Sequence, residues 1–156
     1  MTPRVVDQGG FTVIGIQIRT NNAASDIPKQ WERFFKESIL EKIPNKTDTN
    51  IVVVYSRYAS DHNGDYDYTI GARVNDGPGA PGGMAVVAIP KGRYALLTTG
   101  QGPVGKVVGE AWQQIWRLED AAGLGGTRAY RADFEVYGER ARDPNHSQVD
   151  IYVGLE

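Results

Sequence analysis

Glu135 stands in Asp133-Phe134-Glu135-Val136-Tyr137, a carboxylate set among aromatic and aliphatic residues. The stretch has strand character. Successive side chains then alternate, so Arg131, Asp133, Glu135 and Tyr137 share one side and Tyr130, Ala132, Phe134 and Val136 the other. Two readings follow. On an antiparallel sheet open to water, the acidic side is ordinary solvated surface. In an aromatic cavity, a buried carboxylate costs several kcal/mol unless it protonates or meets a cation. An organic cation would relieve that cost, and each aromatic face would add about 0.5–2 kcal/mol through cation–π contact. The chain has eight Tyr and three Trp, and Tyr55, Tyr58, Tyr68, Tyr137 and Tyr152 fall on strand-like segments. Asp150 and Tyr152 are two residues apart, hence on one face of the last strand. If that strand pairs with the Glu135 strand, both could stand near Glu135. Asp150 as a plain surface acid is the alternative.

Other motifs carry less. Gly100 to Val107 reads GxxxxGK between a strand and a helix, as a phosphate loop does. Val107 replaces the Ser or Thr that would hold Mg²⁺, so a Gly-Pro helix start is the better reading. Asp61 to Asp67 resembles the beginning of a calcium loop, but Tyr66 occupies the glycine position and Ala72 the bidentate glutamate position. His62 and His146 both lie in turns, so no metal site is expected, and neither is a cofactor. No nucleophile-elbow or zinc-protease motif occurs.

The elements that must position Glu135 follow from periodicity. Phe11 to Arg19, Ile51 to Tyr58 and Tyr66 to Val74 alternate and are rich in β-branched and aromatic residues, so they are predicted strands. Ser25 or Asp26 can cap a helix with Pro28 in its first turn. Its apolar face is Ile27, Trp31, Phe34, Phe35 and Ile39. Residues 75–83 (NDGPGAPGG) form a connector. Met84 to Thr99 is strand material broken by Pro90-Lys91-Gly92. A second helix buries Val104, Val107, Val108, Ala111, Trp112 and Ile115. Tyr130 to Tyr137 and Val149 to Leu155 complete the strands.

The order strand, helix, strand, strand therefore occurs twice. Trp31 corresponds to Trp112, Tyr55-Ser56-Arg57-Tyr58 to Phe134-Glu135-Val136-Tyr137, and Gly71 to Gly154, at nearly constant offsets. Ser56 is then the counterpart of Glu135. This duplication predicts one α+β domain over residues 1–156, with a first repeat over about 10–75, a linker over about 76–83 and a second repeat over about 84–156. Two βαββ units form an antiparallel sheet with both helices on one face and a pseudo-twofold axis between them. The opposite face, or the seam between halves, is left for a ligand.

Composition narrows the function. With 40% hydrophobic and 23% charged residues in 156, the chain can build one sizeable core. A net charge of -2 gives no general attraction to nucleic acid or anionic membranes. No apolar run spans a bilayer and no signal peptide is evident, so a cytoplasmic location is expected. The absence of cysteine excludes disulfides and thiol chemistry.

The duplicated layout, Ile27 to Phe34, Gly92-Arg93-Tyr94-Ala95, Ala111 to Trp116, Phe134 to Tyr137 and Asp150 to Val153 together resemble the GyrI-like effector-binding domains. These are ligand-sensing parts of multidrug-responsive regulators of the MerR and AraC types, and also stand-alone proteins, some on mobile gene cassettes. Leu118 to Tyr130 departs from the usual Trp-containing pattern. The resemblance implies a pocket between the halves that binds lipophilic cations through a buried glutamate, matched here by Glu135, with Asp150 and Tyr152 on the following strand. Tyr55, Tyr94, Trp112 and Tyr152 are the expected walls. Residues before 11 leave no room for a helix-turn-helix, so a sensor without its own DNA-binding domain is expected. Two other functions stay open: a hydrolase using Glu135 as general acid or base with Tyr152 as donor, and a protein-binding inhibitor or accessory of a gyrase or a separate transcription regulator.

Overall fold

The computed structural model describes residues 2–75 and 79–156; Asp76, Gly77 and Pro78, within the expected linker, lie outside the described residues. The strands are β1 (Arg4–Gln8), β2 (Phe11–Thr20), β3 (Ile51–Ser56), β4 (Tyr66–Val74), β5 (Ala85–Ile89), β6 (Gly92–Thr98), β7 (Arg128–Tyr137) and β8 (Asp150–Leu155). The helices are α1 (Asp26–Lys36), the short α2 (Ile39–Lys42) and α3 (Val104–Asp120), with a 3-10 turn at Glu139–Ala141. Every strand pairing is antiparallel, in the order β1-β6-β8-β7-β3-β4-β2-β5. The fold is α+β, two βαββ units meeting where β3 pairs with β7.

Both principal helices cover one face. Phe34 of α1 packs with Ile16, Val53, Tyr68 and Ile70. Ala111, Trp112 and Ile115 of α3 pack with Leu97, Ile151 and Val153. Tyr55 and Tyr137, next to the central β3–β7 pairing, touch both clusters. Alternation is the cause: Val53 and Glu135 face each other across β3 and β7, and Glu135 faces Ile151 across β7 and β8, so all three point to the helices.

The opposite face is not free for a ligand, contrary to the expectation from the layout. Gly9-Gly10 joins β1 to β2, and Pro90-Lys91 joins β5 to β6, yet each pair stands six places apart in the sheet order. In a flat sheet six spacings are about 29 Å, whereas three Cα steps span at most about 11 Å. The sheet must therefore curl toward itself. The enclosed side fills with Val13, Val54, Ile89, Tyr94 and Phe134, and with Phe11 and Tyr152 packed against them.

Three local departures have physical causes. Strand β1 (RVVDQ) is short and half polar, and its place depends on pairing with β6. Helix α1 ends at Lys36 and Ser38 takes a left-handed φ of 51°, so Ile39 is buried by separate helix α2 instead of extending the α1 face. A bulge between Arg128 and Asp133, with Tyr130 at φ 55°, breaks the alternation and turns the Tyr130 hydroxyl toward Glu119 on α3. The repeat also aligns one residue differently. The offset that takes Gly71 to Gly154 takes Tyr68 to Ile151; their partners on β3 and β7 are Tyr55 and Glu135. Tyr55, not Ser56, is the counterpart of Glu135.

Candidate functional site

Glu135 is fully buried, with 0% of its surface exposed. Its Oε2 accepts hydrogen bonds from the Tyr55 hydroxyl at 2.8 Å and the Trp112 indole N–H at 2.6 Å. Its Oε1 accepts one from the Tyr137 hydroxyl at 2.7 Å. Each donor comes from a different element: β3, α3 and β7. All three are neutral, so no basic side chain among the described residues is bonded to this carboxylate. Burial raises the Glu135 pKa above the usual carboxylate range, although the bonds from Trp112, Tyr137 and Tyr55 pull it down. Burial, then the nearby Glu135 charge, pushes the hydroxyls of Tyr55 and Tyr137 well above their ordinary pKa, so both stay protonated donors. The arrangement can hold an ionised carboxylate, yet leaves its charge uncompensated.

Above this base lies a cavity of about 900 Å³ between α1 and α3, within the size that encloses a drug-like molecule. Its walls are aromatic: Trp31 and Phe35 from α1, Tyr55 and Tyr68 from the sheet, Trp112 and Trp116 from α3. The rings brace one another. Tyr55 meets Trp112 at 5.1 Å and Tyr68 at 5.2 Å, and Trp31 meets Tyr137 at 5.0 Å, all edge-on. The Trp31 indole N–H donates to the Tyr68 hydroxyl at 2.8 Å, which fixes the α1 wall. Polar residues such as Asn22, Thr49, Gln113 and Arg142 also line the cavity.

Among the described residues, one buried arginine reaches the wall. Arg128 is 5% exposed, and its guanidinium contacts Asp133 at 2.7 Å and Glu119 at 3.3 Å. Burial opposes its charge most strongly, but Asp133 together with the Tyr58 and Tyr130 oxygens holds the Arg128 pKa above its ordinary value. Asp133 also accepts bonds from the Tyr58 hydroxyl and the Gly154 N–H. Arg128 is thus already engaged by two acids and does not neutralise Glu135.

A profile of the Cass2 family, described as integron-associated effector binding protein, matches residues 4–155. The chain is a Cass2-family effector-binding protein. It is 29% identical to YobU of Bacillus subtilis over 91% of this chain and 90% of YobU. It is 32% identical to the transcriptional regulator BrlR of Pseudomonas aeruginosa over 99% of this chain and 56% of BrlR, so it spans little more than half of that relative. An integron cassette protein from the mobile metagenome of Vibrio cholerae shares the fold at a TM-score of 0.75 and 23% identity, covering 99% of this chain and 96% of that one. The structure of SAV2435 bound to tetraphenylphosphonium shares it at a TM-score of 0.81 and 15% identity, covering 100% of this chain and 94% of that one.

In this Cass2-family chain the structure brings together three of the six residues singled out from sequence: Glu135, Tyr55 and Trp112. The other three stand on the enclosed face of the curled sheet. Tyr152 pairs with Phe134, not with Glu135, and stacks on its ring at 4.4 Å. Asp150 pairs with Val136, accepts from Thr98 at 2.7 Å and meets Arg140 at 2.7 Å. Tyr94 packs on Phe134 and donates to the Pro90 carbonyl. The physical reason is register. Asp150 and Tyr152 do share a face, but β8 pairs with β7 so that Ile151 lies opposite Glu135. Tyr152 therefore cannot assist Glu135 as a hydrogen-bond donor from this geometry. Trp31, Tyr137, Trp116 and Arg128 also line the cavity, beyond the six residues singled out from sequence. The Trp31–Trp112 correspondence was the signal for the first. The side shared by Glu135 and Tyr137 was the signal for the second.

Proposed function

We propose that the chain binds organic cations bearing aromatic or lipophilic groups in this cavity, with Glu135 as counter-charge. One observation carries the reading: a fully buried carboxylate, held only by neutral donors, at the base of an aromatic cavity of about 900 Å³. A bound cation would supply the missing charge, and the Tyr and Trp faces would favour a delocalised or quaternary cation over a strongly hydrated one. The tetraphenylphosphonium complex of a protein with the same fold supports the ligand class. The match to part of a transcriptional regulator supports a sensing role, with occupancy read out through a transcription regulator.

Trp31, Trp112 and Trp116 all line the cavity, so intrinsic fluorescence reports on occupancy. Titration with tetraphenylphosphonium should give a saturable change that a second hydrophobic cation competes away. A signal that rises linearly without saturation contradicts the proposal.

A further inference from the structure

Two pseudo-twofold related positions on the cavity wall are finished differently. The four-residue step from Trp31 to Phe35 on α1 repeats as Trp112 to Trp116 on α3, so Phe35 is the counterpart of Trp116. Trp116 is covered. The link from β3 to β4 lays the His62 ring on it, stacked at 4.8 Å and 13°, and Asn22 holds that link by a bond to the His62 carbonyl at 2.7 Å. Phe35 has no such cover. Among the described residues its ring meets only rings of its own helix, Trp31 and Phe34, and 63% of its surface is exposed. It lines the cavity all the same, so the cavity reaches solvent beside it.

A ladder of rings leads from Glu135 to this opening. The Tyr137 hydroxyl donates to Glu135 at 2.7 Å, the Trp31 ring meets Tyr137 at 5.0 Å, and the Phe35 ring meets Trp31 at 5.8 Å. All four residues line the cavity. Trp31 and Tyr137 pack against the first-half core, whereas Phe35 is left in water, where its ring gains little from burial. A ligand ring laid on Phe35 would take apolar surface of both out of water and add an aromatic contact.

Resting on the counter-charge reading, we propose that Phe35 is a specificity-determining residue and that the ligand class is narrower than hydrophobic cations: elongated cations whose aromatic ring stands far enough from the charged centre to meet Phe35 at the opening. Glu135 selects charge, and Phe35 selects reach. A compact cation of the same charge and apolar area fills only the inner position.

The test is a pair of isomers, para-phenylbenzyl-trimethylammonium and ortho-phenylbenzyl-trimethylammonium. They have the same atoms and charge, and only in the para isomer does the outer ring extend away from the nitrogen. Isothermal titration is run on wild type, Phe35→Ala, Phe35→Tyr and Glu135→Gln. Wild type should bind the para isomer about tenfold more tightly. Phe35→Ala should bring the two affinities to within about twofold of each other, and Phe35→Tyr, which keeps the ring, should restore the preference. Glu135→Gln should weaken both isomers. Equal binding of the isomers by wild type overturns this inference alone, as does an undiminished preference in Phe35→Ala. If neither isomer binds, or Glu135→Gln leaves both unaffected, the counter-charge reading falls first. The wild-type comparison needs no variant to fold. Phe35→Ala, at an exposed ring, should melt within about 2 °C of wild type. A much larger fall makes Phe35 a packing residue and overturns the assignment. So does dissociation of a wild-type dimer by Phe35→Ala in sedimentation, which would place the ring between copies of the chain.

Discussion

The indole N–H of Trp112 donates to Oε2 of Glu135 at 2.6 Å, tying helix α3 to strand β7 at the base of the cavity. The same oxygen accepts from Tyr55, the pseudo-twofold counterpart of Glu135, so the two halves are joined through one carboxylate. The first half supplies a neutral hydroxyl where the second supplies a charge. This makes the cavity electrically asymmetric within a nearly symmetric fold.

Cation binding should release a proton. Burial holds the Glu135 pKa above the usual carboxylate range in the empty cavity, and a cation favours the ionised form. Affinity for a permanently charged ligand should rise with pH, by up to about tenfold per unit below that pKa, then level off above it. Titrations in two buffers of different ionisation enthalpy measure the proton released. No proton release at any pH through the transition contradicts the assignment.

The two faces of the sheet should respond differently to mutation. Tyr152→Phe and Asp150→Asn alter the enclosed face and should leave cation affinity within about twofold, since surface or remote changes are worth no more than about 0.5 kcal/mol. Tyr137→Phe removes a donor to Glu135, worth about 0.5–1.5 kcal/mol, and should weaken binding near neutral pH. Loss of binding in Tyr152→Phe with none in Tyr137→Phe would reverse the assignment of faces.

Asp133→Asn should be among the most damaging single changes. It strips Arg128, buried with a side chain 2% exposed, of its closest partner. Breaking such a pair costs about 3–5 kcal/mol. Urea unfolding measures this directly, and a loss below about 1 kcal/mol would show that Glu119 alone suffices for Arg128.

Much of this was legible in the sequence because it depends on period and order. Strands β2, β3, β4, β7 and β8 announce themselves by alternation, and α3 by the spacing of Val107, Ala111, Trp112 and Ile115. Glu135 stood out because a carboxylate on an aromatic strand face needs an explanation. What depends on register did not show. Asp150 and Tyr152 have the right spacing, but whether they face Glu135 is decided by how β8 meets β7, a shift of one residue. Tyr130 sits on the wrong side in any strict alternation because the bulge at Arg128 to Asp133 is not written as a glycine or proline signal. The filling of the second face depends on the two short links at Gly9-Gly10 and Pro90-Lys91, which only the strand order reveals.

Glu135→Gln tests the central claim most directly. The amide oxygen can accept from Tyr55 and Trp112 while its NH₂ donates to a reoriented Tyr137 hydroxyl, so the cage stays satisfied and only the charge is lost. The raised pKa of Glu135 means that its contribution to stability is fully present below the unfolded pKa and is lost as pH rises through the folded pKa. At neutral pH the variant should therefore melt no lower than wild type. Isothermal titration with tetraphenylphosphonium should then show at least about tenfold weaker binding, about 1.4 kcal/mol. An affinity equal to wild type, in a variant that melts normally, would contradict Glu135 as the counter-charge.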